Sequence, residues 1–252
     1  MSMNSELCIV LVVLGLILSA GMVYLVRVAL GGFQSYGRVD LQGGSILLNK
    51  PCMNFAVWLI EPIVKVLNRL SVSPDQVTAA SLLFGLASAW LIVHGYFGFA
   101  FCCALISGVL DILDGMLARM MEKSDLSGVV FDSTVDRYVD FFLLAGCALL
   151  FRHEFWALLA CLLALHGSYM ISYTTAKAEA MSVTIPRGAM KRSERYLYLL
   201  IGLVLSALAE HWPAFWKFDS LPLLVVIWFV AFLSNWSAIM RFRSLFLIAR
   251  EE

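Results

Sequence analysis

The stretch 111-DILDGMLARMMEKSDLSGVVFDSTVD-136 is the most informative part of this sequence for both fold and chemistry. It places Asp111, Asp114, Asp132 and Asp136 within or beside apolar runs that are typical of membrane helices. A charged side chain in the hydrocarbon of a bilayer is costly and is by default a sign of function. The first two aspartates are three residues apart and the last two are four apart, so each pair shares a helix face. The short polar turn between them predicts two antiparallel neighbouring helices whose acidic faces meet in one cleft.

The composition of the whole chain is that of a membrane protein. Of its 252 residues, 61% are hydrophobic and only 14% are charged, whereas soluble domains are about 25% charged. The net charge is zero, which gives no reason to expect nucleic acid as a partner. Apolar runs of about 20 residues predict an all-α, polytopic bundle with seven membrane spans, at 8–30, 76–97, 98–121, 127–151, 155–180, 195–212 and 220–241.

The N-terminal part divides into an anchor and an amphipathic segment. Residues 1–50 are expected to form an uncleaved membrane anchor and a polar loop, and residues 51–252 the main membrane domain. Glu61, Lys65 and Arg69 follow one another at four-residue intervals, which places them on one helix face. This spacing predicts an amphipathic helix in the membrane interface, interrupted at Pro62.

The lysines and arginines predict the orientation of the spans. With the N-terminus outside, all but Arg152 and Lys217 of the 18 lysines and arginines fall on the cytoplasmic side, in agreement with the positive-inside rule. We therefore expect a multi-pass protein of the cytoplasmic membrane whose acidic stretch faces the cytoplasm.

The four aspartates are suited to divalent cations. Carboxylates in one cleft repel one another unless cations neutralise them, and oxygen ligands suit Mg²⁺ and Mn²⁺. The stretch contains no histidine, which argues against zinc. Two ions would balance the four charges, and a metal pair on carboxylates commonly serves phosphate chemistry. The sequence therefore predicts a site for two Mg²⁺ or Mn²⁺ ions.

Small residues and an arginine flank these predicted ligands. Gly115 and Ala118 leave room for a nucleotide beside the first helix. Gly128 lies at the start of the second helix, where a side chain would block the cleft. Arg119 can neutralise phosphate oxygens. A lone acid in a span is often a paired structural charge, but four aspartates with this spacing favour a functional site.

The stretch resembles the signature of the CDP-alcohol phosphotransferase family, D-x2-D-G-x2-A-R-x8-G-x3-D-x3-D. All eight fixed positions are filled, by Asp111, Asp114, Gly115, Ala118, Arg119, Gly128, Asp132 and Asp136. The resemblance extends over about residues 52–245 and implies a six-helix core, so the first span looks like an addition. It also implies a homodimeric enzyme that cleaves the pyrophosphate of CDP-diacylglycerol: an alcohol attacks the β-phosphorus and CMP leaves.

The resemblance also implies roles for individual residues. The four aspartates would hold two divalent ions, and Asp136 would act as general base. Asp111 and Asp114 would contact the CDP-lipid together with Gly115, Ala118, Arg119 and Gly128. The segment SPDQVT, residues 73–78, looks like the family's entry to its first core helix and adds Thr78 to these contacts.

Residues 172–195 bear on the acceptor alcohol. Arg137, Lys177, Arg192 and Arg195 could cradle a phosphorylated acceptor, although positive-inside loops are basic in any case. The segments FDSTVDRYVD, SYTTAKAE and GAMKRSER resemble those of phosphatidylinositol phosphate synthases and their archaeal counterparts, which implies inositol 1-phosphate as acceptor. In that subgroup a basic residue commonly stands where this chain has Thr175, which keeps glycerol 3-phosphate as the alternative. Asp140 is expected to orient Arg137.

Two other classes of membrane protein use intramembrane carboxylates. A divalent-cation transporter would place them near the bilayer midplane between inverted repeats, and no such repeat is visible in this sequence. An intramembrane prenyltransferase also binds pyrophosphate through aspartates and metal, but its pattern lacks the D-G-x2-A-R continuation. An enzyme of the CDP-alcohol type is therefore the favoured interpretation.

Overall fold

A computed structural model describes residues 3–32, 36, 49–122, 126–185, 188, 190–209 and 220–251. This part of the chain is all-helical, as the sequence predicts. Its helices are α1 (Met3–Gly31), α2 (Lys50–Arg69), α3 (Pro74–Val93), α4 (Phe97–Met120), α5 (Leu126–Leu150), α6 (Phe155–Ala180), α7 (Arg192–Ala209) and α8 (Leu221–Glu251).

Among the described residues, five helices are long and apolar enough to cross a membrane, namely α1, α3, α4, α6 and α8. They coincide with five of the predicted spans and show that the protein is integral to a membrane. Helices α5 and α7 occupy the other two predicted spans, 127–151 and 195–212. Both are more highly charged because they carry site residues such as Asp136 and Arg195. The last residues of the second of these spans, 210–212, and Lys217, one of the two cations assigned to the outside, lie outside the described residues.

Helix α3 determines how the two aspartate-bearing helices are arranged. It packs extensively against both α4 and α5, whereas α4 and α5 make few direct contacts with each other in the described structure. A Cβ on Gly85 of α3 would lie 3.2 Å from Val139 of α5 and 3.6 Å from Ser107 of α4. The two helices are therefore held mainly through α3, and aspartates from both converge as the spacing predicts.

The amphipathic segment forms one continuous helix. The expected interruption at Pro62 is wrong, because α2 runs through this proline from Lys50 to Arg69. A proline removes a single backbone donor, and its fixed φ is itself helical, so tertiary packing can keep the helix intact. Ile60 and Val64 of α2 are buried against α4. On the polar face, the nearby Lys65 ammonium lowers the pKa of Glu61.

The remaining contacts assemble a bundle around this unit. Helix α6 packs on α8 and α5, and α7 packs on α8 and α4. A core of small and apolar side chains runs through the bundle, including Ala104, Ala164 and Leu203. The packing brings α4, α5 and α7 around one polar region at the level of Asp111.

Candidate active site

Three of the predicted metal ligands converge in the structure. One carboxylate oxygen from each of Asp111, Asp132 and Asp136 lies within 4.8 Å of the other two. All three side chains are half-buried, so the charges are partly removed from water yet open to a ligand. Carboxylate oxygens at this separation fit a hard divalent cation, which agrees with the donor set expected from the sequence.

Asp114 has different surroundings from the other three aspartates. It is buried, and its Oδ2 accepts a 2.6 Å hydrogen bond from the Thr78 hydroxyl. Thr78 lies in the first turns of α3, which begins with a capping box in which Ser73 and Gln76 bond reciprocally. Such a cap fixes the start of a helix. The structure thus places Thr78 where it orients Asp114.

Gly115, Ala118 and Gly128 are the small residues of the acidic stretch that the sequence predicts as nucleotide contacts. A Cβ on Gly115 would lie 3.4 Å from a guanidinium nitrogen of Arg119, which covers this glycine and is otherwise exposed. Ala118 and Gly128 are both half-buried.

Arg192 links the acidic group to the start of α7. Its Nη1 lies 2.7 Å from Asp136 Oδ2 and 3.2 Å from both carboxylate oxygens of Asp111. Its Nε lies 3.5 Å from Asp140, which also pairs with Arg195 at 3.2 Å. The expectation that Asp140 orients Arg137 is therefore wrong in this structure, since Arg137 donates to the Ser133 carbonyl oxygen. Asp140 instead holds the two arginines of α7.

A polar cavity of about 240 Å³ opens next to Asp136 and Asp140. It lies between α5, α6, α7 and α8 and is lined by five cationic side chains, Arg137, Lys191, Arg192, Arg195 and Arg241. Within the described residues, Arg195 Nη1 and Arg241 Nε are buried without a hydrogen-bond partner. The five cations outnumber the two carboxylates Asp136 and Asp140 in the cavity wall, which favours an anionic ligand. Lys177, also predicted for this role, is exposed and does not line the cavity.

Arg241 is the site residue that sequence reasoning missed. Its Nη1 donates a 2.6 Å hydrogen bond to Thr175 Oγ1, so a guanidinium from α8 stands beside the position where the resembled subgroup has a basic residue. The signal in the sequence is an arginine at the end of a long apolar run, which the positive-inside rule already accounts for. Only the packing of α8 on α6 shows that it faces the cavity.

An apolar groove of about 750 Å³ approaches the same carboxylates from another side. Helices α1, α2, α4 and α7 form its walls, with Ile17, Phe55, Leu59, Ile63, Leu105 and Leu200 among the lining residues. At its polar end are Asp111, Lys191 and Arg192. Lys191 and Arg192 also line the polar cavity, so the two spaces adjoin at the carboxylate group.

Residues 71–240 match the family model for CDP-alcohol phosphatidyltransferase. Similar characterised sequences include the archaetidylinositol phosphate synthase of Methanothermobacter thermautotrophicus, 31% identical over 61% of this chain and 75% of that protein. The phosphatidylinositol phosphate synthase of Corynebacterium glutamicum is also 31% identical, over 60% of this chain and 71% of that protein.

Solved structures of the Mycobacterium tuberculosis phosphatidylinositol phosphate synthase resemble the fold. The form with CDP-DAG bound has a TM-score of 0.65 and 28% identity, covering 74% of this chain and 92% of that chain. The form in complex with manganese and citrate has a TM-score of 0.66 and 28% identity, covering 74% and 88%.

Proposed function

Because the chain belongs to the CDP-alcohol phosphatidyltransferase family, we propose that it transfers the phosphatidyl group of CDP-diacylglycerol to inositol 1-phosphate. The products are CMP and phosphatidylinositol phosphate, so the protein serves phospholipid synthesis. The names of the similar synthases support this acceptor, and the CDP-DAG-bound neighbour supports the donor.

One observation carries the proposal: an apolar groove and a basic cavity adjoin at a group of carboxylates. The groove suits the tails of a lipid donor, and its polar end, where Lys191 and Arg192 stand beside Asp111, suits the pyrophosphate head. The cavity suits a small, water-soluble phosphate ester, because its arginines present donors to an anion. Asp136 belongs both to the carboxylate group and to the cavity wall, which supports a role for it where donor and acceptor would meet.

The residues that would hold divalent cations are Asp111, Asp132 and Asp136, with Asp114 oriented by Thr78. Two Mg²⁺ or Mn²⁺ ions would neutralise the pyrophosphate and the charge that develops on the leaving phosphate. The manganese-bound neighbour supports this use of metal. On the protein side, Gly115, Ala118, Gly128 and Arg119 would receive the cytidine nucleotide, as the resemblance implies.

In the proposed reaction, Asp136 accepts the proton of the attacking hydroxyl group. The hydroxyl oxygen forms a bond to the β-phosphorus, the bond from that phosphorus to the bridging oxygen breaks, and CMP leaves with the electron pair. Arg192, at 2.7 Å from Asp136, keeps this carboxylate aligned toward the cavity. Arg137, Arg195 and Arg241 would bind the phosphate of the acceptor and so bring its hydroxyl group to Asp136.

CMP release by the purified protein tests this function. With CDP-diacylglycerol as donor, we expect release with inositol 1-phosphate and little with glycerol 3-phosphate or free inositol. Turnover with glycerol 3-phosphate alone would identify the alternative, a phosphatidylglycerophosphate synthase, and would show that Thr175 marks a different acceptor. No release with any alcohol would refute a phosphatidyl transferase.

Removal of metal provides a second test of the same site. Activity should vanish in excess chelator and return with Mg²⁺ or Mn²⁺, because clustered carboxylates cannot bind an anionic pyrophosphate uncompensated. Mn²⁺ binding measured by electron paramagnetic resonance should weaken in Asp132→Asn, independently of turnover. Full activity in chelator would exclude the two-ion site.

The cellular setting and assembly follow as parts of the same proposal. We place the protein in the cytoplasmic membrane with its N-terminus outside and its site open to the cytosol, because the acceptor is soluble and the basic residues favour that side. We also propose a homodimer, which the family resemblance implies. Light scattering of the detergent-solubilised protein would give its mass, and a mass of one chain would exclude the dimer.

A further inference from the structure

Helix α1 precedes the residues that match the family, 71–240, yet it is fixed to the bundle at its start. Glu6 is only 4% exposed, and its Oε2 accepts a 2.8 Å hydrogen bond from the backbone N–H of Gly98. That N–H belongs to the first turn of α4, whose N-cap residue Tyr96 makes no side-chain cap bond. The carboxylate of Glu6 therefore takes the place of a local cap, and its charge favours the positive end of the helix dipole.

The contact between α1 and α4 requires close backbone approach. A Cβ on Gly98 would lie 2.8 Å from the carbonyl oxygen of Glu6, so a side chain at this position would separate the helices. Toward the other end of α1, Tyr24 is buried against Phe55 and Trp58 of α2, with ring centroids 5.5 and 5.3 Å apart. Helix α1 is thus held at two separate points.

Between these two points, α1 forms a wall of the apolar groove. Ile17 is half-buried and lines the groove, whereas its neighbour Leu18 is 70% exposed on the outer surface of the helix. From the Glu6–Gly98 contact, Ile17 lies about 17 Å along α1 and Asp111 about 20 Å along α4, at a rise of 1.5 Å per residue. Because both residues line the groove, Ile17 lies close to the level of the charged end.

We propose that α1 completes the binding site for the lipid donor and that Ile17 contacts the tail of the CDP-lipid next to its headgroup. The occupant is an anionic lipid, because the apolar groove ends at Lys191 and Arg192 beside the carboxylate Asp111. Helix α1 is therefore a substrate-binding element of this chain in addition to a membrane anchor. This inference rests on the proposed function and extends it to a segment outside the family match.

Steady-state kinetics of two tryptophan variants test this role. Ile17→Trp should narrow the groove and raise the KM for dioleoyl CDP-diacylglycerol at least ten-fold. The same variant should leave the KM for inositol 1-phosphate within about two-fold. No residue of α1 lines the polar cavity that we propose for this acceptor. Leu18→Trp, the matched control on the exposed face, should leave the KM of both substrates unchanged.

Binding measured without turnover guards against a folding defect. Ile17→Ala, which leaves space instead of filling it, should weaken retention of radiolabelled CDP-diacylglycerol while the melting temperature falls no more than in Leu18→Ala. An unchanged lipid KM in Ile17→Trp, or equal effects of the two tryptophans, would overturn the inference and leave the proposed function intact. Absence of CMP release by the wild-type protein would instead refute the proposed function, and this inference with it.

Discussion

Asp136 connects the carboxylate group to the polar cavity. It shares the carboxylate group with Asp111 and Asp132, it lines the polar cavity, and it pairs with Arg192. These contacts separate its role from that of Asp140, which lines the same cavity and holds the same arginine but is not part of the carboxylate group in the described residues. The pair therefore offers a matched comparison on one helix.

Asp136→Asn should remove most turnover while CDP-lipid binding persists, because the proposed nucleotide contacts lie mainly on α4. The loss expected for a general base is roughly 10²- to 10⁴-fold in kcat. Asp140→Asn should act mainly on the KM of the acceptor, since Asp140 holds the arginines that would bind its phosphate. Single-turnover CMP release and lipid-binding assays separate the two effects. Equal losses of binding and turnover in Asp136→Asn would make this residue a ligand only.

Arg241→Ala should raise the KM of inositol 1-phosphate much more than that of the CDP-lipid. A hydrogen bond to a charged group contributes roughly 1.5–3 kcal/mol, or about 10- to 150-fold in affinity. Arg243→Ala is the control, because Arg243 lies on the same helix with the same charge but is exposed. Similar acceptor constants in the two variants would show that Arg241 is a charge of the membrane interface without a binding role.

At this scale, local spacing predicts some site residues and misses others. The aspartates could be found because i, i+3 and i, i+4 spacing places them on one helix face whatever the rest of the fold does. Arg241 could not be found, because its place in the cavity depends on how α8 packs against α6, more than 60 residues earlier in the chain. The prediction that Asp140 pairs with Arg137 is also wrong, because Arg192 and Arg195 reach Asp140 from a helix distant in the chain.

At the scale of helices, hydropathy predicts which helices form better than it predicts how they pack. The apolar runs predict every described helix that is long and apolar enough to cross the membrane. They carry no information on which helices touch, and the insertion of α3 between α4 and α5 depends on Gly85 and on Gly146, where a Cβ would lie 2.8 Å from the Ala89 carbonyl oxygen. The predicted interruption at Pro62 is wrong for a related reason. The packing of Ile60 and Val64 stabilises α2 on both sides of the proline.

The buried contact between α1 and α4 gives a prediction at this scale. Glu6→Ala removes the carboxylate that accepts from Gly98 and leaves a buried donor unsatisfied, at a cost of roughly 1–3 kcal/mol. Because each kcal/mol corresponds to about 2–4 °C in a protein of this size, the melting temperature in detergent should fall by several degrees. Glu6→Gln keeps an oxygen acceptor, so its melting temperature should fall less than that of Glu6→Ala. If Glu6→Ala melts like the wild type, then Glu6 does not fix α1.

At the scale of the whole molecule, charge placement predicts a topology that helix packing alone does not determine. Arg152 and His153 lie in the connection between α5 and α6, and Glu179 lies near the far end of α6. Because α6 is long and apolar enough to span the membrane, we expect its two ends, at His153 and Glu179, to lie on opposite sides. The basic residues of the candidate site and the polar cavity that they line lie toward the Glu179 end.

The orientation can be measured with single cysteines in a variant whose six native cysteines are replaced by alanine, after CMP release has shown that it remains active. His153→Cys should react with a membrane-impermeant maleimide on intact cells, because Arg152 and its neighbours are assigned to the outside. Glu179→Cys should react only after the membrane is permeabilised, since the positive-inside rule assigns its end to the cytosol. Both side chains are exposed, so burial would not explain a difference. The opposite labelling pattern would place the basic cavity outside, where it could not draw a soluble phosphate ester from the cytosol.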